Sequence, residues 1–182
     1  LSFKMIHVEG GTFEMDSDYH VTLSSYSIGE TQVTQELWQA VMGNNPSSFK
    51  GAQNPVENVS WNACQLFIKK LNQKTGRNFR LPTEAEWEFA ARGGTKSEGY
   101  NYSGSNSLND VAWYDSNSGA MTHPVKQKKP NELGLYDMSG NVWEWCQDRY
   151  GNYKRGAQTY PTGPARGSYR VLRGGSWNDD DS

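Results

Sequence analysis

An α+β architecture with little regular secondary structure is predicted by three features of the chain. Short segments that alternate apolar and polar residues lie towards both ends, and three separately capped helical segments lie between them. A long Gly-, Ser- and Asn-rich stretch from 99 to 120 carries no sustained period, yet it holds Trp113, which has to pack against something. At 182 residues the chain fits one domain, large enough to bury about two-thirds of its unfolded surface without metals or disulfides. A mean hydropathy of -0.85 would suit a disordered chain. The 13% aromatic content, with seven Trp, supplies the large apolar bodies that disordered chains lack.

The first element runs from Phe3 to Met15 and breaks at Gly10-Gly11, as expected of a hairpin with a short turn. Val21 to Ile28 reads as a further strand. Thr34 can cap a helix that carries Leu37, Trp38 and Val41 and stops at Gly43. Ser60 caps a second, in which Cys64, Phe67, Ile68 and Leu71 fall on one face before Gly76 ends it. Thr83 and Glu86 form a capping box, so the third starts at Glu84 and reaches about Arg92. Strands return after Val125, with turns at Pro130-Asn131, Ser139-Gly140 and from Pro161 to Gly167, and Tyr169 to Arg173 is expected to be a late central strand. The run Trp143-Glu144-Trp145 is assigned to packing.

A formal charge of -2 leaves no basic footprint for phosphate backbones, which excludes nucleic acid as a primary ligand. No apolar run approaches the roughly 20 residues that span a bilayer. Cys64 and Cys146 match no zinc pattern; they are either two buried thiols or one disulfide of an exported protein.

Asp137-Met-Ser-Gly-Asn-Val-Trp-Glu144 sets two carboxylates around a glycine turn that can aim backbone carbonyls at one point. Hard oxygen donors of that kind suit Ca²⁺. The competing reading is that Asp137 and Glu144 only accept hydrogen bonds from loop amides and Arg side chains.

Three runs, Arg80 to Trp87, Asn131 to Trp145 and Arg173 to Trp177, resemble the formylglycine-generating-enzyme, or sulfatase-modifying-factor, family, and the likeness extends from about Phe3 to Trp177. It implies a variant of the C-type lectin fold with twisted antiparallel strands and a few short helices, a single domain over 1–182 that lacks a last strand. It also implies a structural Ca²⁺ held by the side chains of Asp137 and Glu144 and the carbonyls of Gly140 and Val142. A second family calcium site would fall near Asn109-Asp110 and the 115–118 loop, where the match is too loose to assign one.

The family's oxidising members bind Cu(I) through a pair of thiolates. The first of these positions is Asp179 here, and the chain ends at Ser182 before the second. A carboxylate is a hard ligand and cannot replace a soft thiolate, so no copper site is expected. An iron site would want His or carboxylate ligands at close spacing, and His7, His20 and His123 show none. The closing run Trp177-Asn178-Asp179-Asp180-Asp181-Ser182 is acidic and belongs on an exposed rim. It is similar to the start of the hypervariable stretch in the variable proteins of diversity-generating retroelements.

These readings lead to a non-catalytic module that binds a protein or cell-surface ligand through Trp177, Asn178, Asp179, Asp180, Asp181 and Ser182, with export or surface display favoured over the cytoplasm. A divergent metal-dependent oxidoreductase and an accessory scaffold without a variable site are the alternatives.

Overall fold

The computed structural model describes residues 2–180. Among these residues, seven short strands and five α-helices carry the chain: β1 (Met5–Val8), β2 (Gly11–Asp16), β3 (Tyr19–Leu23), β4 (Tyr26–Gly29), α1 (Gln35–Met42), α2 (Trp61–Thr75), α3 (Glu84–Ala91), the single turns α4 (Leu108–Val111) and α5 (Asp115–Ser118), then β5 (Glu144–Arg149), β6 (Gly156–Thr159) and β7 (Arg170–Arg173). Among the described residues they form three small sheets, β1-β4, β2-β3-β6 and β5-β7. All pairings are antiparallel except β3 with β6. The mixture of short strands and few helices is the predicted α+β class.

The three long helices begin and end where their caps place them. Thr34, Ser60 and Thr83 each accept a hydrogen bond from the amide three residues on, the capping box of Thr83 and Glu86 is complete, and Gly43 and Gly76 close α1 and α2 in the left-handed region. Left-handed geometry suits glycine because it has no Cβ to clash.

The strand pairing differs from the expectation at three points. β1 does not fold back on β2 at Gly10-Gly11; it pairs with β4, whereas β2 pairs with β3. A Cβ on Gly10 would stand 2.5 Å from the Leu23 carbonyl oxygen, so the glycine serves a close crossing of two sheets and not a hairpin turn. The segment from Val21 to Ile28 is two strands broken at Ser24-Ser25, and the Ser25 hydroxyl accepts from the Gly10 amide at the break. β7 pairs, among the described residues, with β5 alone and so is not central.

Two apolar clusters hold these elements. The larger gathers Val8, Val21, Leu23, Trp87, Phe89, Leu135, Met138, Cys146 and Val171 between the sheets and α3. The smaller lies between α1 and α2, where Trp38 and Phe67 stack with ring centroids 4.9 Å apart and Cys64 packs at the edge. Both cysteines are free.

Candidate functional site

The segment from Asp137 to Glu144 has two faces, and each holds one of the groups singled out in the sequence. Its path is set by backbone that few residues tolerate. Asp137, Gly140 and Asn141 all have positive φ, at 58°, 85° and 65°. A Cβ on Gly140 would lie 2.4 Å from the Trp113 carbonyl oxygen, and the Gly140 amide donates to the carbonyl of Gly174 at 2.7 Å. The glycine is therefore required twice, for its dihedral and for the close approach of two chains.

On one face, four oxygens of this segment converge. They are the carbonyls of Asp137, Gly140 and Val142 and Oε1 of Glu144, and all four lie 3.0–3.2 Å from the side-chain nitrogen of Gln32. The sequence names all four residues that meet here. At Asp137 it is the carbonyl that joins the cluster, while Oδ2 of the carboxylate, to which the resemblance assigns the ion, accepts from the Lys126 amide at 2.9 Å. The left-handed dihedral at Asp137 accompanies this arrangement. Glu144 accepts a second bond on Oε2 from the Trp87 indole at 3.1 Å.

Burial pushes the Asp137 carboxyl up to about 6, against the pull of the Lys126 amide and the positive charge of Lys128. Glu144 is pushed up to about 7, first by burial and further by the nearby Asp137, although Trp87 and Gln32 donate to it. Two buried carboxyl groups thus lie in one region, and among the described residues no basic side chain bonds to either. Among the described residues, no three His, Cys, Asp or Glu side chains gather as a metal cluster, so any cation here would depend on main-chain oxygens. The donor set suits a hard ion: every converging atom is oxygen, three are carbonyls, and two further buried oxygens, Gln32 Oε1 and Asp137 Oδ1, have no hydrogen-bond partner. At the second calcium position of the sequence reading, Asn109 Oδ1 accepts from both the Tyr114 hydroxyl and the Asn117 side-chain amide.

On the other face, Asn141 carries the rim. It is fully buried, and its side chain bridges both main-chain groups of His123, accepting from the amide and donating to the carbonyl at 3.0 Å each. Its own amide donates to the Trp113 carbonyl, and its carbonyl accepts from the Trp177 amide. Trp177 is then fixed by the Ser118 hydroxyl, which donates to its carbonyl at 2.7 Å, and by an edge-on contact with Phe49. Beyond it, the Ser176 hydroxyl meets Asn178 Oδ1 and Asp179 Oδ2, and the Asp115 amide donates to the Asp179 carbonyl. Asn178 and Asp180 are exposed, and Trp177 and Asp179 are half-buried. Asp181 and Ser182, also assigned to this rim, lie outside the described residues.

Sequence reasoning missed Gln32, Asn141 and Trp143. Gln32 is more than 100 residues from the oxygens it meets, with no motif linking the two. Asn141 stands inside the quoted motif, but nothing in the sequence shows that its side chain bonds the chain at His123. Trp143, assigned to packing, is 47% exposed; Trp145 does pack, and its indole donates to the Val59 carbonyl.

No thiol lies in the rim. Cys64 is pushed up to about 11 by burial, and Cys146 further still, by burial and by surrounding carboxylates. The three histidines form no cluster: His7 and His20 sit on β1 and β3, and His123 stacks on Trp113.

The sequence profile of the sulfatase-modifying factor enzyme 1-like domain matches residues 2–182. The chain is 38% identical to chaperone protein LppX of Paenibacillus barcinonensis over 97% of its own length and 79% of that protein. It is also 38% identical to the formylglycine-generating enzyme of Streptomyces coelicolor, over 75% of this chain and 46% of the enzyme, so it spans less than half of that relative. Among solved structures, Treponema denticola variable protein 1 superposes with a TM-score of 0.88 at 40% identity, covering 98% of this chain and 85% of that one. The chain belongs to the sulfatase-modifying factor family, on the formylglycine-generating-enzyme variant of the C-type lectin fold.

Proposed function

We propose that this chain is a non-catalytic display module, which presents a ligand-binding rim after Trp177 on a rigid scaffold. The observation that supports it most is Asp179. It stands where the resemblance places the oxidising members' first cysteine, and its carboxylate is engaged by the Ser176 hydroxyl. The side chains beside it, Asn178 and Asp180, face solvent, while the backbone beneath them is tied to Asn141, Ser118 and Asp115. Binding surfaces are built in this way when side chains have to vary and the scaffold has to stay fixed. The solved variable protein, similar over nearly the whole chain, supports the same reading.

The second part of the proposal is a structural Ca²⁺ on the opposite face of the same segment, held by the carbonyls of Asp137, Gly140 and Val142 and the carboxylate of Glu144. Such an ion would supply the positive charge that two buried carboxyl groups lack. Weak, structural Ca²⁺ sites suit proteins exposed to the millimolar Ca²⁺ outside cells, and the reading extends to an exported or surface-displayed protein whose partner is a protein or cell-surface ligand. No helix among the described residues is long and apolar enough to cross a membrane.

The test is an oxidation assay beside a tolerance assay. Oxygen consumption with a cysteine-containing peptide and Cu(I), or with Fe(II), should stay at the level of the metal alone. Simultaneous replacement of Asn178 and Asp180 should lower the melting temperature less than Asn141→Ala does. Metal-dependent turnover of the peptide would favour a divergent oxidoreductase and overturn the display reading.

A further inference from the structure

Gln32 meets the four oxygens of the cage through one nitrogen, and the arithmetic of that contact does not close. A side-chain amide nitrogen carries two hydrogens. Four acceptors at 3.0–3.2 Å must share them. The amide's own oxygen is buried without a partner, as is Oδ1 of Asp137. Gln32 as a whole is only 6% exposed, so water does not make up the difference freely. Buried acceptors left short of donors are costly. The cluster has a surplus of oxygen that an amide cannot satisfy.

The placement of Gln32 is not incidental. The segment after β4 is tied to the cage segment by the Tyr136 amide, which donates to the Glu30 carbonyl, and to the loop between α1 and α2 by the Val56 amide, which donates to the Val33 carbonyl. Gln32 is held between these two anchors.

We propose that Gln32 is an exchangeable arm of the cation cage. Its amide nitrogen closes the ring of oxygens in the cation-free protein, and its amide oxygen joins them as a ligand when Ca²⁺ is bound. This proposal rests on the cation reading given above. Half a turn about the last side-chain bond swaps nitrogen for oxygen without altering the shape of the side chain. Oxygens that share a Ca²⁺ at 2.3–2.6 Å stand roughly 2.8–3.6 Å from their neighbours in the shell. The Gln32 nitrogen already keeps that spacing from all four oxygens, so the swapped oxygen would take a vertex of the shell with little movement. The same turn would give the amide oxygen the cation as its partner and carry the amide hydrogens to the place the oxygen leaves. A neutral arm also keeps the cage closed without an ion, which a carboxylate at position 32 could not do.

Tb³⁺ is a usable probe, because an indole in direct contact with a cage ligand can sensitise its emission, and Trp87 donates to Glu144. The experiment measures Tb³⁺ affinity, its displacement by Ca²⁺ and the cation-free melting temperature for the wild type, Gln32→Glu and Gln32→Met. Gln32→Glu keeps the oxygen, adds charge and loses the donor; it should bind about tenfold more tightly or better and melt lower without cation. Gln32→Met offers neither function and should bind about tenfold more weakly, again with a lower cation-free melting temperature. If both variants bind as the wild type does, Gln32 is not an arm of the cage and the proposal fails while the cation reading stands. If neither the wild type nor Gln32→Glu shows sensitised emission or Ca²⁺-dependent stabilisation, the cation reading fails and this proposal with it. Should Gln32→Met not fold, the near-isosteric Gln32→Glu decides alone, and wild-type affinity in it overturns the proposal.

Discussion

The carbonyl of Asn141 accepts from the backbone amide of Trp177 at 2.9 Å, so the residue at the centre of the cage segment also fixes the first residue of the rim. Because the Asn141 side chain binds His123 at the same time, one fully buried amide joins three stretches of chain that are far apart in sequence. A strut of this kind lets the rim side chains change while their backbone does not.

Asn141→Ala should therefore be among the more damaging single changes. It leaves the His123 amide and carbonyl without partners and puts a β-carbon residue without a local hydrogen bond at a φ of 65°. Each orphaned group costs about 1–3 kcal/mol, so a loss of about 3–5 kcal/mol is expected in urea unfolding. The loss should be accompanied by faster hydrogen exchange of the Trp177 amide.

Calcium should stabilise the wild type, and chelator should remove the effect. At a hundredfold excess over its dissociation constant, a ligand specific for the native state adds about 2.7 kcal/mol. For a chain of this size that is about 5–10 °C in melting temperature. Glu144→Gln should abolish the Ca²⁺ dependence, and differential scanning calorimetry with and without chelator reads both results.

Asp148 sets a pH dependence of opposite sign to the usual carboxylate. Burial, aided by the negative charges of Glu84 and Glu86, pushes it up to about 6, although the Glu84 amide donates to it. Its folded pKa thus lies above its unfolded value, the native state binds the extra proton, and its contribution to stability improves as pH falls from about 7 towards 4. Asp148→Asn should raise stability at pH 7.5 by about 1–2 kcal/mol, and the gain should vanish near pH 4.

Glu86 shifts the other way. Burial raises it, but the hydrogen bonds from Arg80 and Thr83 outweigh burial and hold it below the usual range. Its contribution is present above the unfolded pKa and is lost as pH falls through the folded one. Glu86→Gln should lower stability at pH 7 and narrow the gap below pH 4, as measured by urea titration across pH.

The helices were legible from sequence because each is set by signals within a few residues: Thr34, Ser60 and the Thr83-Glu86 box start them, and Gly43 and Gly76 end two of them. The sheets were less legible. The choice of β4 over β2 as the partner of β1 depends on the close crossing at Gly10 and the break at Ser24-Ser25, and neither leaves a local signature. The same limit applies in the cage. Its four residues could be named from one motif, but Gln32 could not, and the turn of the Asp137 carbonyl towards it depends on a left-handed backbone that only the folded chain reveals.

The central claim is that the rim after Trp177 varies over a constant strut, and it is tested most directly by reading the 3′ end of the coding region across several isolates, from the Tyr169 codon to the stop. Differences confined to codons after Trp177, with Asn141, Ser176 and Trp177 unchanged, are the expected result. A constant tail, with the differences scattered through the rest of the domain, would contradict it.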